Sequence, residues 1–294
     1  MNNSRIELSV IIPCFNAADT IAYQLEALAR QQWDRPWEVI VSDNGSTDGS
    51  QAVVEQYRDK LPNLKLVDSS DKRGAAHARN VGVLATSADA LAFCDADDEV
   101  APGWVLAMGE GLAMYDFIAC RREYRKLNES WTLKYRVQTQ LTQLNGLQEF
   151  KPPYLPHASG STLGVKRSVH EAVGGFDKTM LFLEDTDYCW KIQLAGTKLH
   201  FVPEAVVHYR FRHTLAGLYH QARLWGEYRV LLYTKYRSLG MPKVSWKTGV
   251  KGWLVLLRNL PQIFSRSDRV SWIRLLANRI GRLYGSLKYR VLAL

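Results

Sequence analysis

Three carboxylates fall within four positions at Asp95-Ala-Asp97-Asp98, directly after the apolar run Leu91-Ala-Phe-Cys94. Like charges this close raise one another's proton affinity unless something positive intervenes. Their hard oxygen atoms suit Mg2+ or Mn2+ and, through the ion, a diphosphate. The same residues also suit a plain polar turn after a strand, and this segment alone reads equally both ways. A second acid group, Glu184-Asp185-Thr-Asp187, precedes an apolar stretch. One of its acids could act as general base towards a hydroxyl; equally, all could be first-turn acids complementing a helix dipole. Asp43 could accept a hydrogen bond from a nucleobase N–H or simply shape a turn. Arg79 could meet phosphate or stand solvated on a helix, and His208 could be a ligand or an ordinary hydrogen-bonding histidine.

These residues need a scaffold that brings them to one place. Leu8-Ser-Val-Ile-Ile-Pro13, Trp37-Glu-Val-Ile-Val41, Leu64-Lys-Leu-Val67 and the run before Asp95 read as four buried strands. Between them lie helical stretches, the first capped by Thr20 with Ile21, Leu25 and Leu28 on its apolar face. Strand and helix in alternation predict a parallel sheet with right-handed crossovers, hence a doubly wound α/β fold. Ligands bind at the carboxyl ends of such strands, where Asn16, Asp43, Arg79, Asp95 and Asp97 would gather. No GxGxxG follows the first strand, which argues against a dinucleotide oxidoreductase. Further strands are expected at Asp116–Cys120, Ser159–Val165 and Lys198–Val202, and Val206–His213 alternates apolar with basic or imidazole side chains.

At this point the chain resembles the family 2 glycosyltransferases, inverting enzymes of the GT-A fold. The resemblance rests on Val10-Ile-Ile-Pro-Cys-Phe-Asn16, Ser42-Asp-Asn-Gly-Ser-Thr-Asp48, Arg73-Gly-Ala-Ala-His-Ala-Arg-Asn80, Phe93-Cys-Asp-Ala-Asp-Asp98, Gly174-Gly-Phe-Asp177 and Glu184-Asp-Thr-Asp187. Six motifs in the family's order, across roughly residues 8–212, make a specific signal even though each alone is weak. The resemblance implies a Rossmann-like, mostly parallel sheet flanked by helices. It assigns Pro13, Asn16, Asp43, Gly74, Arg79, Asn80 and Asp95 to the nucleotide-sugar donor, with UDP favoured because Asp43 can pair with a pyrimidine imide. It makes Asp97 and Asp95 ligands of Mg2+ or Mn2+, with Asp97 the more direct, and sets His208 where many members place a metal or phosphate contact. It makes Asp185 the base that deprotonates an acceptor hydroxyl, with Glu184 as the fallback. The acceptor would be a glycan or a lipid-linked saccharide of the cell envelope. Two departures stand out: Lys72-Arg73 replaces the asparagine many members carry before the glycine, and Gln221-Ala-Arg-Leu-Trp225 lacks the arginine of the processive synthases' QxxRW. A single-addition enzyme is therefore expected. The rival readings are a nucleotide-sugar-binding protein without transfer activity and a sugar nucleotidyltransferase.

The catalytic domain is expected over 1–213, with a donor half to about residue 100 and an acceptor half beyond, followed by a helical extension over 214–294. Of the 294 residues 47% are hydrophobic and 23% charged, as in an ordinary globular protein. Cys14, Cys94, Cys120 and Cys189 are scattered without a CxxC pair, which predicts free thiols in a reducing compartment. With no leader-like start and no apolar stretch of spanning length, a cytoplasmic location is expected, peripheral on the inner face of the membrane. The formal charge of +9 is uneven: residues 201–294 hold 17 Lys and Arg against Glu204, Glu227 and Asp268. Ile273, Leu276, Ile280, Leu283, Leu287 and Val291 form an apolar stripe there, with Arg279, Arg282 and Arg290 opposite. Such a basic amphipathic extension suits an anionic membrane surface; its alternatives are packing on the catalytic body or a homo-oligomer. No nucleic-acid-binding module is recognised, so nucleic acid is not an expected partner.

Overall fold

The computed structural model describes residues 5–129, 133, 142–212 and 214–293, with only the backbone at Arg266 and Ser267. His213 and most of 130–141 lie outside the described residues. The chain forms two compact units: residues 1–127, 142–148 and 156–210 in one, and 128–141, 149–155 and 211–294 in the other.

The first unit is built on an eight-stranded sheet in the order β3-β2-β1-β4-β7-β6-β8-β5. β1 (Leu8–Cys14), β2 (Trp37–Asp43), β3 (Leu64–Asp68) and β4 (Ala90–Phe93) pair in parallel, as the alternation predicts. β1 is buried on both faces: Leu8, Val10 and Ile12 pack on one side and Ile11 on the other, all fully enclosed. Helices on both sides of a parallel sheet require such uninterrupted apolar runs. α1 (Ile21–Ala29) buries Ile21, Leu25 and Leu28 as expected. Thr20 does not cap it; the Thr20 hydroxyl donates to Ala17 O at 3.3 Å, and α1 begins without a side-chain cap. α2 (Ser50–Glu55) and α3 (Ala75–Leu84) complete the crossovers.

The second half of the sheet is mixed. β5 (Glu99–Val100), β6 (Phe117–Glu123), β7 (Leu163–Lys166) and β8 (His200–His208) are joined by α4 (Trp104–Met114), α5 (Arg167–Ala172) and α6 (Glu184–Leu194). β7 runs antiparallel to both β4 and β6, with Leu91 opposite Val165 and Ala119 opposite Leu163. This reversal has a consequence for the site. It sets the residues before β7, starting at Gly160, at the edge where β1, β2 and β4 deliver their carboxyl ends. All four cysteines are buried and free, as their spacing predicts.

The second unit contains α7 (Leu215–Tyr236), α8 (Trp246–Arg258) and α9 (Arg266–Lys288). The α9 stripe is arranged differently from expectation. Its buried residues are Ala277, Gly281, Gly285 and Ser286, while Leu283 and Leu287 are exposed and Arg279 and Arg282 are partly buried. The reason is close helix crossing: a Cβ on Gly281 would overlap Arg223 O, and one on Gly226 would overlap Asn278 O. Small residues win this seam because the backbones of α7 and α9 nearly touch. No helix among the described residues is long and apolar enough to cross a membrane.

Candidate active site

Arg79 is the centre of the site. α3 carries it beneath the sheet edge, where its side chain is only 3% exposed. Nη2 donates to Asp95 Oδ1 at 2.8 Å and Nη1 to Glu184 Oε1 at 2.8 Å, while the guanidinium lies 5.4 Å from the Phe176 ring centroid. One buried cation thus ties the acid cluster after β4 to the acid pair opening α6. A buried guanidinium without partners would be prohibitively unfavourable, whereas two charge-assisted bonds hold it in place.

The cluster itself is Asp95, Asp97 and Asp98, each offering an oxygen within 4.8 Å of the others. Asp98 is fully buried; its Oδ1 accepts from Arg210 N at 2.9 Å and its Oδ2 has no hydrogen-bond partner. Burial, and then the charges of Asp97 and Asp95, push the Asp98 carboxyl well above the usual carboxylate range. Crowded hard oxygens with one lone buried atom match a divalent cation such as Mg2+ or Mn2+. Two residues that sequence reasoning missed hold this loop. Gln24 donates to Asp95 O at 3.3 Å and accepts from Val100 N at 2.9 Å, and Arg210 Nε donates to Asp97 O at 2.9 Å.

His208 is not one of these three. It ends β8 opposite Glu99 on β5 and Glu123 on β6, and its Nδ1 sits 2.7 Å from Glu123 Oε2. The third carboxylate is supplied by Asp98.

Asp185 is placed by backbone donors: Gly160 N reaches its Oδ2 at 3.1 Å and Thr186 N its Oδ1 at 2.7 Å. Burial raises its proton affinity overall, against the opposing pull of Gly160 N, Arg79 and Thr186 N. Glu184 is pushed up to about 7 by burial and by Asp185, against the opposing pull of Arg79. Gly160 was not foreseen as a site residue. It gives Asp185 an N–H, and a Cβ there would lie 2.7 Å from Arg79 Nη2, so only glycine leaves room for the guanidinium. The Ser159-Gly-Ser sequence carries no spacing rule that would have flagged it.

Asp43 ends β2 and is buried. Its Oδ2 accepts from Gly45 N (3.2 Å), Ser46 N (3.1 Å) and Gln51 Nε2 (2.8 Å), which leaves the buried Oδ1 without a partner. Pro13 lies one residue before the end of β1, paired with Ser42. Asn16 has a left-handed φ of 48° and locks the two loops together, donating its N–H to Ser46 Oγ and accepting from Thr47 N at 2.8 Å. Gly74 starts α3 at φ 128°, its N–H donated to Asn44 Oδ1 at 2.8 Å. Asn44 also bonds the carbonyls of Ser69 and Lys72, a positioning residue unnoticed in the sequence. Beside it, the Arg73 guanidinium lies 4.2 Å from the ring centroid of half-exposed Phe15. The Asn80 side chain is held by the loop before α6. Both ends of its amide are engaged with Phe176, accepting from N at 2.9 Å and donating to O at 2.8 Å.

A mixed eight-stranded sheet flanked by helices carries the Asp43 loop, the aspartate cluster and the Glu184–Asp185 pair. Glycosyl transferase family 2 matches residues 9–174, and glycosyl transferase family group 2 matches residues 92–279. The chain belongs to glycosyl transferase family 2. An uncharacterized glycosyltransferase, YibD, of Escherichia coli K12 is 35% identical over 138 residues, covering 45% of this chain and 39% of its own. The pre-mycofactocin glycosyltransferase of Mycobacterium tuberculosis is 26% identical over 260 residues, covering 86% of this chain and 53% of its own. The chain therefore spans about half the length of the curated relatives it matches. Among solved structures, the mannosyltransferase PcManGT of Pyrobaculum calidifontis, in complex with GDP-Man and Mn2+, superposes with a TM-score of 0.65 at 20% identity. The match covers 96% of this chain and 88% of that one, and it establishes the GT-A fold. S. aureus TarS 1-349 with UDP-GlcNAc gives a TM-score of 0.52 at 17% identity, covering 97% and 93%.

Proposed function

We propose that the chain transfers a sugar from a nucleotide-diphosphate sugar to an acceptor hydroxyl with inversion at the anomeric carbon. The observation that supports this reading is the Arg79 bridge, which joins Asp95, assigned to the leaving group, and Glu184 of the pair assigned to the proton through one buried guanidinium. Asp185 takes the proton of the acceptor hydroxyl as that oxygen bonds to the anomeric carbon. The bond from that carbon to the diphosphate breaks in the same displacement, so configuration inverts. Glu184, paired to Arg79, orients the arm and serves as the fallback base.

Asp97 and Asp98, with the face of Asp95 not taken by Arg79, would hold Mg2+ or Mn2+. When bound, the ion neutralises charge on the departing diphosphate. His208, oriented by Glu123, is assigned to the diphosphate. The lone Asp43 Oδ1 is assigned to the base N–H, which favours UDP. Phe15 and Arg73 are assigned to the face of the base. The neighbours with GDP-Man and with UDP-GlcNAc support a nucleotide-sugar donor without fixing the base. The acceptor is a glycan or lipid-linked saccharide of the envelope; one relative, 24% identical over 248 residues, is a poly-β-1,6-N-acetyl-D-glucosamine synthase of Staphylococcus epidermidis. Residues 214–294 meet an anionic membrane surface.

The test is a panel of UDP-, GDP- and dTDP-sugars with Mn2+, read by melting temperature and by product. UDP-sugars should stabilise the chain most, chelation should reverse this, and nucleoside diphosphate should be released with acceptor present. Release of pyrophosphate, or no stabilisation by any nucleotide with Mn2+ present, overturns the reading.

A further inference from the structure

α8 is the most sharply two-sided helix of the C-terminal unit, and its apolar side is left open. At ~100° per residue, Trp246, Val250, Leu254 and Leu257 fall along one side. Lys247, Lys251 and Arg258 fall along one edge of that side. Gly249, Gly252 and Leu256 fall on the far side, towards α9. The structure follows this division. Gly249 and Leu256 are buried, a Cβ on Gly252 would overlap the Arg279 guanidinium, and Trp272 Nε1 donates to Leu256 O at 3.0 Å. By contrast Trp246 is 55% exposed, Leu254 60% and Leu257 68%, and Phe264 in the following turn is 86% exposed.

We infer that α8 and the turn over Leu260–Phe264 seat on an anionic lipid surface. Trp246, Leu254, Leu257 and Phe264 enter the boundary between headgroups and acyl chains, and Lys247, Lys251 and Arg258 meet the lipid phosphates. This deepens, and rests on, the membrane reading proposed for residues 214–294, and it moves the contact from the stripe on α9 to α8. A helix that is anchored on its small-residue side, apolar on its open side and basic along the edge has the makeup of an in-plane interfacial helix. Tryptophan and leucine lie at the depth where an amphipathic ring and an aliphatic chain partition best. Charge complementarity selects lipid over a second copy of the chain. Residues 214–294 hold 15 Lys and Arg against Glu227 and Asp268. Glu227 is moreover already paired with Lys288 at 2.8 Å. An isologous pair across α8 would set these basic edges against each other, whereas an anionic bilayer attracts every one of them.

The experiment is flotation of the full chain with phosphatidylglycerol–phosphatidylethanolamine vesicles at low salt, with phosphatidylcholine vesicles as the neutral control. Wild-type chain should float with the anionic vesicles only. A Leu254→Ser/Leu257→Ser/Phe264→Ser variant should lose at least tenfold in bound fraction with an unchanged melting temperature, because all three side chains are already in water. Lys247→Glu/Lys251→Glu should lose binding while keeping the same fold. If the triple variant floats like wild type, α8 is not the contact, though the membrane reading stands. If wild type stays behind, both fall, while nucleoside diphosphate release still reports on the transferase reading. A dimer in sedimentation velocity that the triple variant dissolves would make a second copy the occupant and overturn the inference.

Discussion

Arg79 has two carboxylate partners, and its own side chain is almost fully buried. Arg79→Met removes a buried cation and strands Asp95 and Glu184, a change that typically costs about 3–5 kcal/mol. The expected outcome is a strongly lowered urea midpoint and loss of nucleoside diphosphate release. Asp185→Asn is a different kind of change. The asparagine can still accept from Gly160 N, so the fold and the Mn2+-dependent stabilisation by donor should persist. Turnover should fall about 10²–10⁴-fold, the usual range for a lost general base. Should donor stabilisation disappear together with turnover, Asp185 belongs to donor binding and the assignment moves to Glu184. The acids and Arg79 were singled out because six motifs fall in one family's order, although each motif alone reads equally well as a turn or a helix end. Gly160, Gln24 and Asn44 were not, because a missing side chain or a neutral amide has no sequence mark until its partner is seen.

At the scale of elements, α5 and α6 meet through a buried histidine. His170 Nδ1 lies 2.8 Å from Tyr188 Oη, and the ring packs among Phe93, Phe176 and Tyr188. Burial, then the nearby charges of Arg167 and Lys191, lowers its proton affinity to about 4. The unfolded chain therefore binds a proton below about 6.5 that the folded chain refuses until about 4. His170 supports folding fully above pH 6.5, and that support is lost as pH falls from 6.5 to 4, by about 3 kcal/mol in all. Urea unfolding at pH 7 and pH 5 should show this loss, and His170→Asn should flatten it. The seam of α7 and α9 gives a second element-scale outcome: Gly281→Leu should separate the two helices and lower the melting temperature, whereas Leu283→Ala, on an exposed position, should not. The first four strands were readable because short, mostly apolar runs are bounded by polar turns. Two features were not. The antiparallel entry of β7 is decided by which neighbours it finds, and the α9 seam is made by small residues that hydrophobic periodicity ignores.

At the scale of the whole molecule, the expected division at residue 213 stands beside a main crossing between compact units after Arg210. It omits an earlier excursion. Residues 149–155 belong to the helical unit although they lie within the sequence of the catalytic one. Several of their partners lie beyond residue 213: Tyr154 Oη donates to Leu239 O at 2.8 Å, Arg229 Nη2 donates to Lys151 O at 3.2 Å, and the Arg229 guanidinium lies 4.0 Å from the centre of the buried Phe150 ring. A fragment of residues 1–213 therefore keeps the whole sheet, the Arg79 bridge and the three clustered aspartates, but strips Phe150, Lys151 and Tyr154 of these contacts and uncovers their apolar surface. Exposed segments of that kind aggregate and are cut first by proteases. The expected outcome is a fragment that still shows a Mn2+-dependent nucleotide shift but is nicked between 149 and 155 under limited proteolysis that leaves the full chain intact. Tyr154→Ala in the full chain should raise cleavage at the same place to an intermediate degree. Equal protection of the fragment and the full chain would mean that the loop is held within the catalytic unit and that 213 is a true boundary.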